Sequence, residues 1–425
     1  MDNMRPLLGI MLILFLAYLC SERRGDISWH SLIKGLLFQF VLAVLLLRVS
    51  FFQQVFVFLN QGVLAIQDAT RAGTSLVFGY LGGGPTPFEL TAPENSFILG
   101  LQALPMILVF SALSAVLYYW QILPKVVAVF AWILGRIFKI SGATSFATVA
   151  TVFVGMVEAP LLISPYLKSL SRSEMLIVMS SGMATLSGTV LVLYASFLKN
   201  AVPDAIGHLL VGSIMSAPAS VMLSLVVIPL VGAGHDVGAK SIKLQLHYNG
   251  LMDAISTGTI QGLRLMANVI AMLIALVALV ALANSLLSLL PQIDNAPLTL
   301  QRLVGWVMQP IAWTLGIDWV DTKSAGQLLG TKLVLNEFIA YLDFSKLSLD
   351  AMSDKSRVLM TYLLCGFANF GSLGIVIAGL GAMASDRRDE IVALGSKALL
   401  IGSLSTSLSG AYAAIILFGL PIGFL

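Results

Sequence analysis

The stretches VFVGMVEAPLLI (152–163) and LGTKLVLNEFIAYL (329–342) each carry one glutamate, Glu158 and Glu337, inside a run that otherwise belongs in hydrocarbon. An ionisable side chain at membrane depth costs roughly 2.5–3.5 kcal/mol or more, so it faces a polar cavity or a solute path rather than lipid. Each stretch is followed by an apolar segment broken by small and polar residues: MSSGMATLSGTVLVLYA (179–195) and LLCGFANFGSLGIVIAGL (363–380). Glu158 to Ser187 and Glu337 to Gly366 are both separations of 29 residues. Two acids in two matching contexts point to a duplicated element enclosing one solute site. Inverted repeats with discontinuous helices that meet at mid-membrane are a recurrent plan of secondary transporters.

The rest of the chain agrees. It has 425 residues, 58% of them hydrophobic and 11% charged. Soluble domains carry about 25% charged residues. Mean hydropathy is +0.94. Apolar runs long enough to cross a hydrocarbon core of roughly 30 Å recur throughout. These features predict an all-α polytopic membrane protein, and a barrel would show short period-2 segments instead. Spans are expected at 6–20, 31–50, 96–120, 174–198, 206–232, 261–291, 357–383 and 392–424, with Met1–Cys20 read as the first span rather than a cleaved leader. Residues 141–170 break around Gly155 to Pro160 and residues 320–346 around Gly330 to Glu337, so both read as re-entrant hairpins. Backbone freed by such breaks is tolerated where protein or a water-filled cavity satisfies it. Residues 51–80 and 121–140 have the polar/apolar mix of interfacial helices, and 79–96 is a Gly/Pro-rich external loop.

Counting these elements puts Arg23/Arg24, Lys168/Arg172, Lys240/Lys243 and Arg387/Arg388 on one side, which the positive-inside rule assigns to the cytoplasm. Both termini then lie outside, with Lys346, Lys355 and Arg357 on the external face. A net charge of +3 is too small and dispersed for nucleic acid. Cys20 and Cys365 lie in or beside apolar runs and read as packing residues, and His30, His208, His235 and His247 as scattered interfacial residues rather than a metal site. Arg264 reads as a snorkelling residue near the start of a span. Lys332, five residues before Glu337, either pairs with it or sits at an exposed hairpin base. An intramembrane enzyme could use Glu158 with Glu337 as acid and base, but nucleophile and metal-ligand motifs are missing. A nutrient receptor would need an output domain.

The ordered series ALPMILVFSALSAVLYYW (103–120), GMVEAPLLISPYL (155–167), NGLMDAISTGTIQGLRLMANVIAML (249–273), PIAWTLGIDWVDTKSAGQLLGTKLVLNEFIAYL (310–342) and CGFANFGSLGIVIAGL (365–380) resembles the concentrative nucleoside transporters over nearly the whole chain. The resemblance implies a cation-coupled nucleoside importer of elevator type in a bacterial inner membrane, homotrimeric and without a cofactor. It implies scaffold spans and an interfacial helix in 1–120, and the first hairpin and broken helix of a transport domain in 121–232. A scaffold span with an interfacial segment follows in 233–315, and the second hairpin, broken helix and last span in 316–425. The missing N-terminal extension resembles the bacterial form.

The site carries over residue by residue. Glu337 matches the acid that holds the ribose hydroxyls, Asn369 and Ser372 the ribose pair in the following broken helix, and Phe367 a neighbour lining the pocket. Glu158 matches the acid on the base-facing side and Val190 an apolar contact to the base. The hairpin tip departs from the family's usual Gly-Gln-Thr-Glu: here it is Gly155-Met156-Val157-Glu158. Two base-bonding groups become apolar, which predicts altered base selectivity, with modified or C-nucleosides, free bases or ribose derivatives as the alternative cargo. The sodium position corresponds to the side chains of Thr151 and Thr185 with the carbonyls of Val154 and Leu186. Thr151 stands for an Asn of sodium-coupled members, and Thr144 stands where many relatives carry Glu. The lost amide oxygen shifts the expectation towards a proton over sodium.

Overall fold

Inside a bilayer a chain satisfies its own backbone groups by coiling, and this chain is helical almost throughout. The computed structural model describes residues 5–89, 96–230, 248–293 and 295–419. The first helices are α1 (Arg5–Leu19), α2 (Trp29–Arg48), α3 (Ser50–Phe78), α4 (Met106–Tyr119) and α5 (Ile122–Phe138). Hairpin 1 contains α6 (Gly142–Ala150) and α7 (Glu158–Leu162), and the broken helix after it is α8 (Arg172–Ala184) with α9 (Gly188–Leu198). Next come α10 (Ala205–Val227), α11 (Leu251–Leu287) and α12 (Leu300–Thr314). Hairpin 2 is α13 (Thr322–Val334) with α14 (Glu337–Lys346). The second broken helix is α15 (Asp354–Leu364) with α16 (Phe370–Met383), and α17 (Arg388–Ala414) closes the series.

Six helical stretches of the described residues are long and apolar enough to cross a membrane, while α1 and α16 are shorter apolar helices. Over their described residues the eight expected spans are therefore helical, two of them as broken helices, and each hairpin is helix–break–helix. Local chemistry sets the breaks. Ser141 caps α6 by accepting the Thr144 N–H, and Asn336 caps α14 by accepting that of Ile339. Such caps contribute about 1 kcal/mol each.

Small residues bring the helices together where no water is present to drive association. On α11, a Cβ at Gly262 would lie 2.8 Å from Leu108 Cα, so α4 and α11 cross almost backbone to backbone. Serine pairs join the buried centre: Ser180–Ser224 at 2.7 Å, Ser181–Ser220 at 2.9 Å and Ser216–Ser409 at 3.0 Å link α8, α10 and α17.

Several expectations are corrected. α11 begins at Leu251, ten residues before the expected start, so Arg264 is mid-helix and exposed. Its 37 residues span about 55 Å, longer than the hydrocarbon core. Gly330 lies inside α13, where a Cβ would meet the Gln301 carbonyl of α12 at 2.4 Å. The break expected around Gly330 to Glu337 falls at Leu335–Asn336, at the far end of that window. Lys332 is neither exposed nor ion-paired with Glu337 among the described residues. It is buried, donating to the Leu363 carbonyl at 2.8 Å and to Thr406 Oγ1 at 3.4 Å. His208 meets the Tyr362 hydroxyl at 2.8 Å inside the bundle. Cys365 is buried with its thiol on the Leu209 carbonyl, and both cysteines are free. His235, His247, Lys240, Lys243, residues 90–95 of the external loop and the ends of the spans at 206–232 and 392–424 lie outside the described residues.

α1 and α2, grouped with the scaffold in the sequence, pack on α10 and α17. Gln39 donates to the Met215 carbonyl, and Tyr412 donates to that of Leu36. At one end of the bundle, Glu22 of the α1–α2 connection receives Arg172 at 2.9 Å and also contacts Lys397 of α17. Lys168 pairs with Asp386, and Arg387 donates to the carbonyls of Leu167 and Leu170, so these charges share one face. Arg5 and Lys355 meet at Asp318 in the connection between α12 and α13, placing the start of α1 at the other end.

Candidate solute-binding site

Both hairpin tips and both helix breaks border one cavity of about 540 Å³. Its wall contains Met156, Val157, Glu158, Val190, Glu337, Phe367, Asn369 and Ser372, so the eight residues singled out in the sequence come together. The size falls in the range of small-molecule pockets. α11 supplies the facing wall, where Asn268 stands among Leu265, Met272 and Leu276.

The half around Glu337 is built by helix starts. Glu337 is the first residue of α14, where the positive end of the helix dipole favours a carboxylate. Its Oε1 accepts the Tyr194 hydroxyl at 2.8 Å, and its Oε2 accepts Asn369 Nδ2 at 2.7 Å. Asn369 caps α16: its Oδ1 accepts the Ser372 N–H at 2.7 Å, and its amide also donates to the Phe367 carbonyl at 3.2 Å. Asn369 is thus largely committed to shaping the site. The backbone N–H of Glu337 also meets its own carboxylate, which keeps acceptor capacity beyond these donors for a ligand hydroxyl.

The half around Glu158 differs. Gly155 sits at φ +117°, a conformation reserved in practice for glycine, and its Cα lies so near Glu158 that a Cβ would be 2.6 Å from Oε2. Met156 packs over Gly182 of α8, and Val157 over Gly379 of α16. With Val190 and Phe367 this half is apolar except for Glu158.

Of the proposed cation ligands, Thr151, Thr185 and Leu186 are buried, while Val154 is half-buried and borders the cavity. Gly188 N–H donates to the Phe153 carbonyl at 3.2 Å, joining hairpin 1 to the first helix break. Thr151 Oγ1 donates to the Thr148 carbonyl at 2.7 Å and Thr185 Oγ1 to that of Ser181 at 2.9 Å, so both oxygens retain lone pairs. The Leu186 carbonyl accepts the Ser213 hydroxyl at 3.1 Å. The Thr151 and Thr185 hydroxyls and the Val154 and Leu186 carbonyls are oxygens of the kind a hard cation takes. Thr144 is turned to Ser141, 2.9 Å between the hydroxyls.

Tyr194 was missed in the sequence. It lies one helical turn after Val190 and stacks on Tyr341 with ring centroids 4.6 Å apart. A tyrosine inside a membrane helix, in register with a contact residue, was the available signal.

Paired hairpins and broken helices around a membrane cavity with two carboxylates define a secondary transporter. Family models described as "Na+ dependent nucleoside transporter" match at residues 8–81 (N-terminus) and 208–414 (C-terminus), and one described as "Nucleoside recognition" matches 100–201. The transporter YutK of Bacillus subtilis is 35% identical over 98% of this chain and 100% of its own length. The sodium/nucleoside cotransporter 2 of Rattus norvegicus is 32% identical over 96% of this chain, which spans 62% of the rat protein. The solved structure of CNTnw in an inward-facing substrate-bound state superposes with a TM-score of 0.87 at 32% identity, covering 97% of this chain and 98% of that one. A doubly substituted CNTnw in an outward-facing state gives 0.86. The chain belongs to the concentrative nucleoside transporter family; it is a multi-pass membrane transporter, not an enzyme.

Proposed function

We propose that the protein is a sodium-coupled nucleoside symporter of a bacterial inner membrane, with the ribose held at Glu337 and an atypical base preference set by the hairpin 1 tip. The observation that carries it is the Glu337 carboxylate, fixed on both oxygens by Tyr194 and Asn369 and open to a vicinal diol. Ser372, whose backbone is capped by Asn369, adds a hydroxyl on the same side. A diol site favours ribosides over free bases. Opposite it, Met156, Val157 and Val190 leave the base few hydrogen-bonding partners, so discrimination among bases is weak or falls to bases with apolar substituents.

Sodium replaces the proton as the coupling ion, because the matching family is sodium dependent and Thr151, Val154, Thr185 and Leu186 still offer four oxygens. The mobile unit comprises both hairpins and broken helices with α10 and α17. It also carries α1 and α2, which are bonded to it, while α4 and α11 belong to the scaffold. Transport follows by displacement of that unit along α4 and α11, in a homotrimer.

Competition binding with the purified protein tests the substrate. Broad inhibition by ribonucleosides and little by free bases is expected, and no inhibition by any nucleoside refutes the assignment. Crosslinking in membranes that yields nothing above a dimer refutes the trimer.

A further inference from the structure

Glu158 belongs to two cavities. Besides the 540 Å³ site, it forms part of the wall of a separate chamber of about 90 Å³. Ser111, Ser114 and Tyr118 of α4 line this chamber, with Thr189 at the start of α9 and Gln261 of α11. The spacing along α4 puts its three residues on one side of that helix. Tyr118 is only 4% exposed, yet its hydroxyl has no hydrogen-bond partner among the described residues. The Glu158 carboxylate is met by the backbone N–H groups of Val157 and Glu158, but no side-chain hydrogen bond and no ion pair reaches it among the described residues, whereas Glu337 has two side-chain donors.

A carboxylate held at membrane depth needs a compensating charge, and a neutral nucleoside brings none. Beside an apolar part made by residues such as Phe153, Leu161 and Leu162, the chamber has a carboxylate, hydroxyls and one amide, oxygen donors without thiolate or imidazole. Such a set suits an alkali or alkaline-earth cation rather than a transition metal. Its volume exceeds the roughly 30 Å³ share of one water, so an ion retaining one or two waters fits.

We propose that this chamber is a second sodium site, with Na⁺ held between the Glu158 carboxylate and the hydroxyls of α4, apart from the Thr151–Thr185 cluster. It rests on the sodium-coupled reading above. One wall is hairpin 1 and the other is α4 with α11, the two bodies that slide past each other in transport. Displacement of the hairpin dismantles the site, so sodium bound there stabilises the arrangement described and biases the carrier towards it. The ion also supplies the charge that Glu158 lacks.

The test is sodium binding by the purified protein without nucleoside, using radiolabelled sodium against a potassium background, in parallel with uridine binding at saturating sodium. Tyr118→Phe and Gln261→Leu are each expected to raise the half-saturating sodium concentration of one component about tenfold while changing uridine affinity less than about twofold. Thr185→Ala is expected to remove a different component. A sodium isotherm unchanged in both α4 and α11 variants overturns the proposal, as does complete loss of sodium binding in Thr185→Ala alone. A response to pH in place of sodium also overturns it, since a proton would then balance Glu158. Sodium binding that depends on Tyr118 in a protein that binds no nucleoside leaves this site standing and removes the nucleoside assignment.

Discussion

The Tyr194 hydroxyl donates to one oxygen of Glu337 across 2.8 Å, while Asn369 occupies the other oxygen from a different broken helix at 2.7 Å. The carboxylate of hairpin 2 is therefore aimed by both repeats at once. Tyr194 is itself fixed, stacked on Tyr341 and edge-on to Phe338 at 6.0 Å. A charged group held this way presents its free lone pairs in one geometry and loses little entropy on binding.

Tyr194→Phe removes a donor to a charged acceptor, which corresponds to roughly 1.5–3 kcal/mol, or about 10- to 100-fold in affinity. The loss is expected for ribonucleosides and is smaller for analogues lacking the 2′ or 3′ hydroxyl. Tyr341→Phe is the control, because that hydroxyl serves the Thr361 carbonyl. Equal weakening by both variants, measured by equilibrium binding, would assign the effect to packing.

Restoring polar groups at the tip should restore base reading. Met156→Gln with Val157→Thr is expected to widen the spread of affinities across the common nucleosides by about tenfold or more, since a site built to hydrogen-bond rejects ligands that leave it unpaired. An unchanged ranking in competition binding would place base selectivity elsewhere.

Asn369 separates stability from binding. Asn369→Ala loses the α16 cap, about 1 kcal/mol, and uncovers a Glu337 oxygen. Asn369→Asp keeps a cap acceptor but sets a second carboxylate against Glu337. Thermal unfolding is expected to be lowered in the Ala variant and largely recovered in Asp, with binding lost in both; binding retained by Asp would contradict the site.

Glu22 makes a pH-dependent contribution. The hydrogen bond from Arg172, with further help from Lys397, outweighs partial burial and holds its carboxyl at about 2 rather than the ordinary 4.5. A group depressed on folding stabilises fully above its unfolded value and loses that contribution as pH falls towards the folded one. Glu22→Gln is expected to lower the unfolding temperature at neutral pH, with the gap to wild type closing between pH 4.5 and about 2. A gap that stays constant through that window would mean the carboxylate charge contributes nothing.

Most of the site was legible because membrane burial makes each polar residue conspicuous. Glu158, Glu337 and Asn369 stand out against apolar neighbours, and the equal 29-residue offsets tie hairpins to breaks. Tyr194 carries only a faint signal, its position one turn after Val190, and its role emerges when the fold sets Glu337 beside it. Gly330 marks where α13 touches α12, and in sequence such a glycine looks like one that ends a helix, so the break is located only to the Gly330–Glu337 window. The placement of α1 and α2 on the α10–α17 body depends on contacts such as Gln39 to Met215, between residues far apart in the chain, which hydropathy cannot register.

The most direct measurement is uptake of radiolabelled uridine into proteoliposomes under separately imposed sodium and proton gradients, with counterflow as the check on carrier exchange. Accumulation driven by the inward sodium gradient alone, reduced at least about tenfold in Glu337→Gln, is the predicted result. Accumulation driven only by protons would contradict sodium coupling, and absence of uptake and counterflow for every nucleoside in folded protein would contradict nucleoside transport itself.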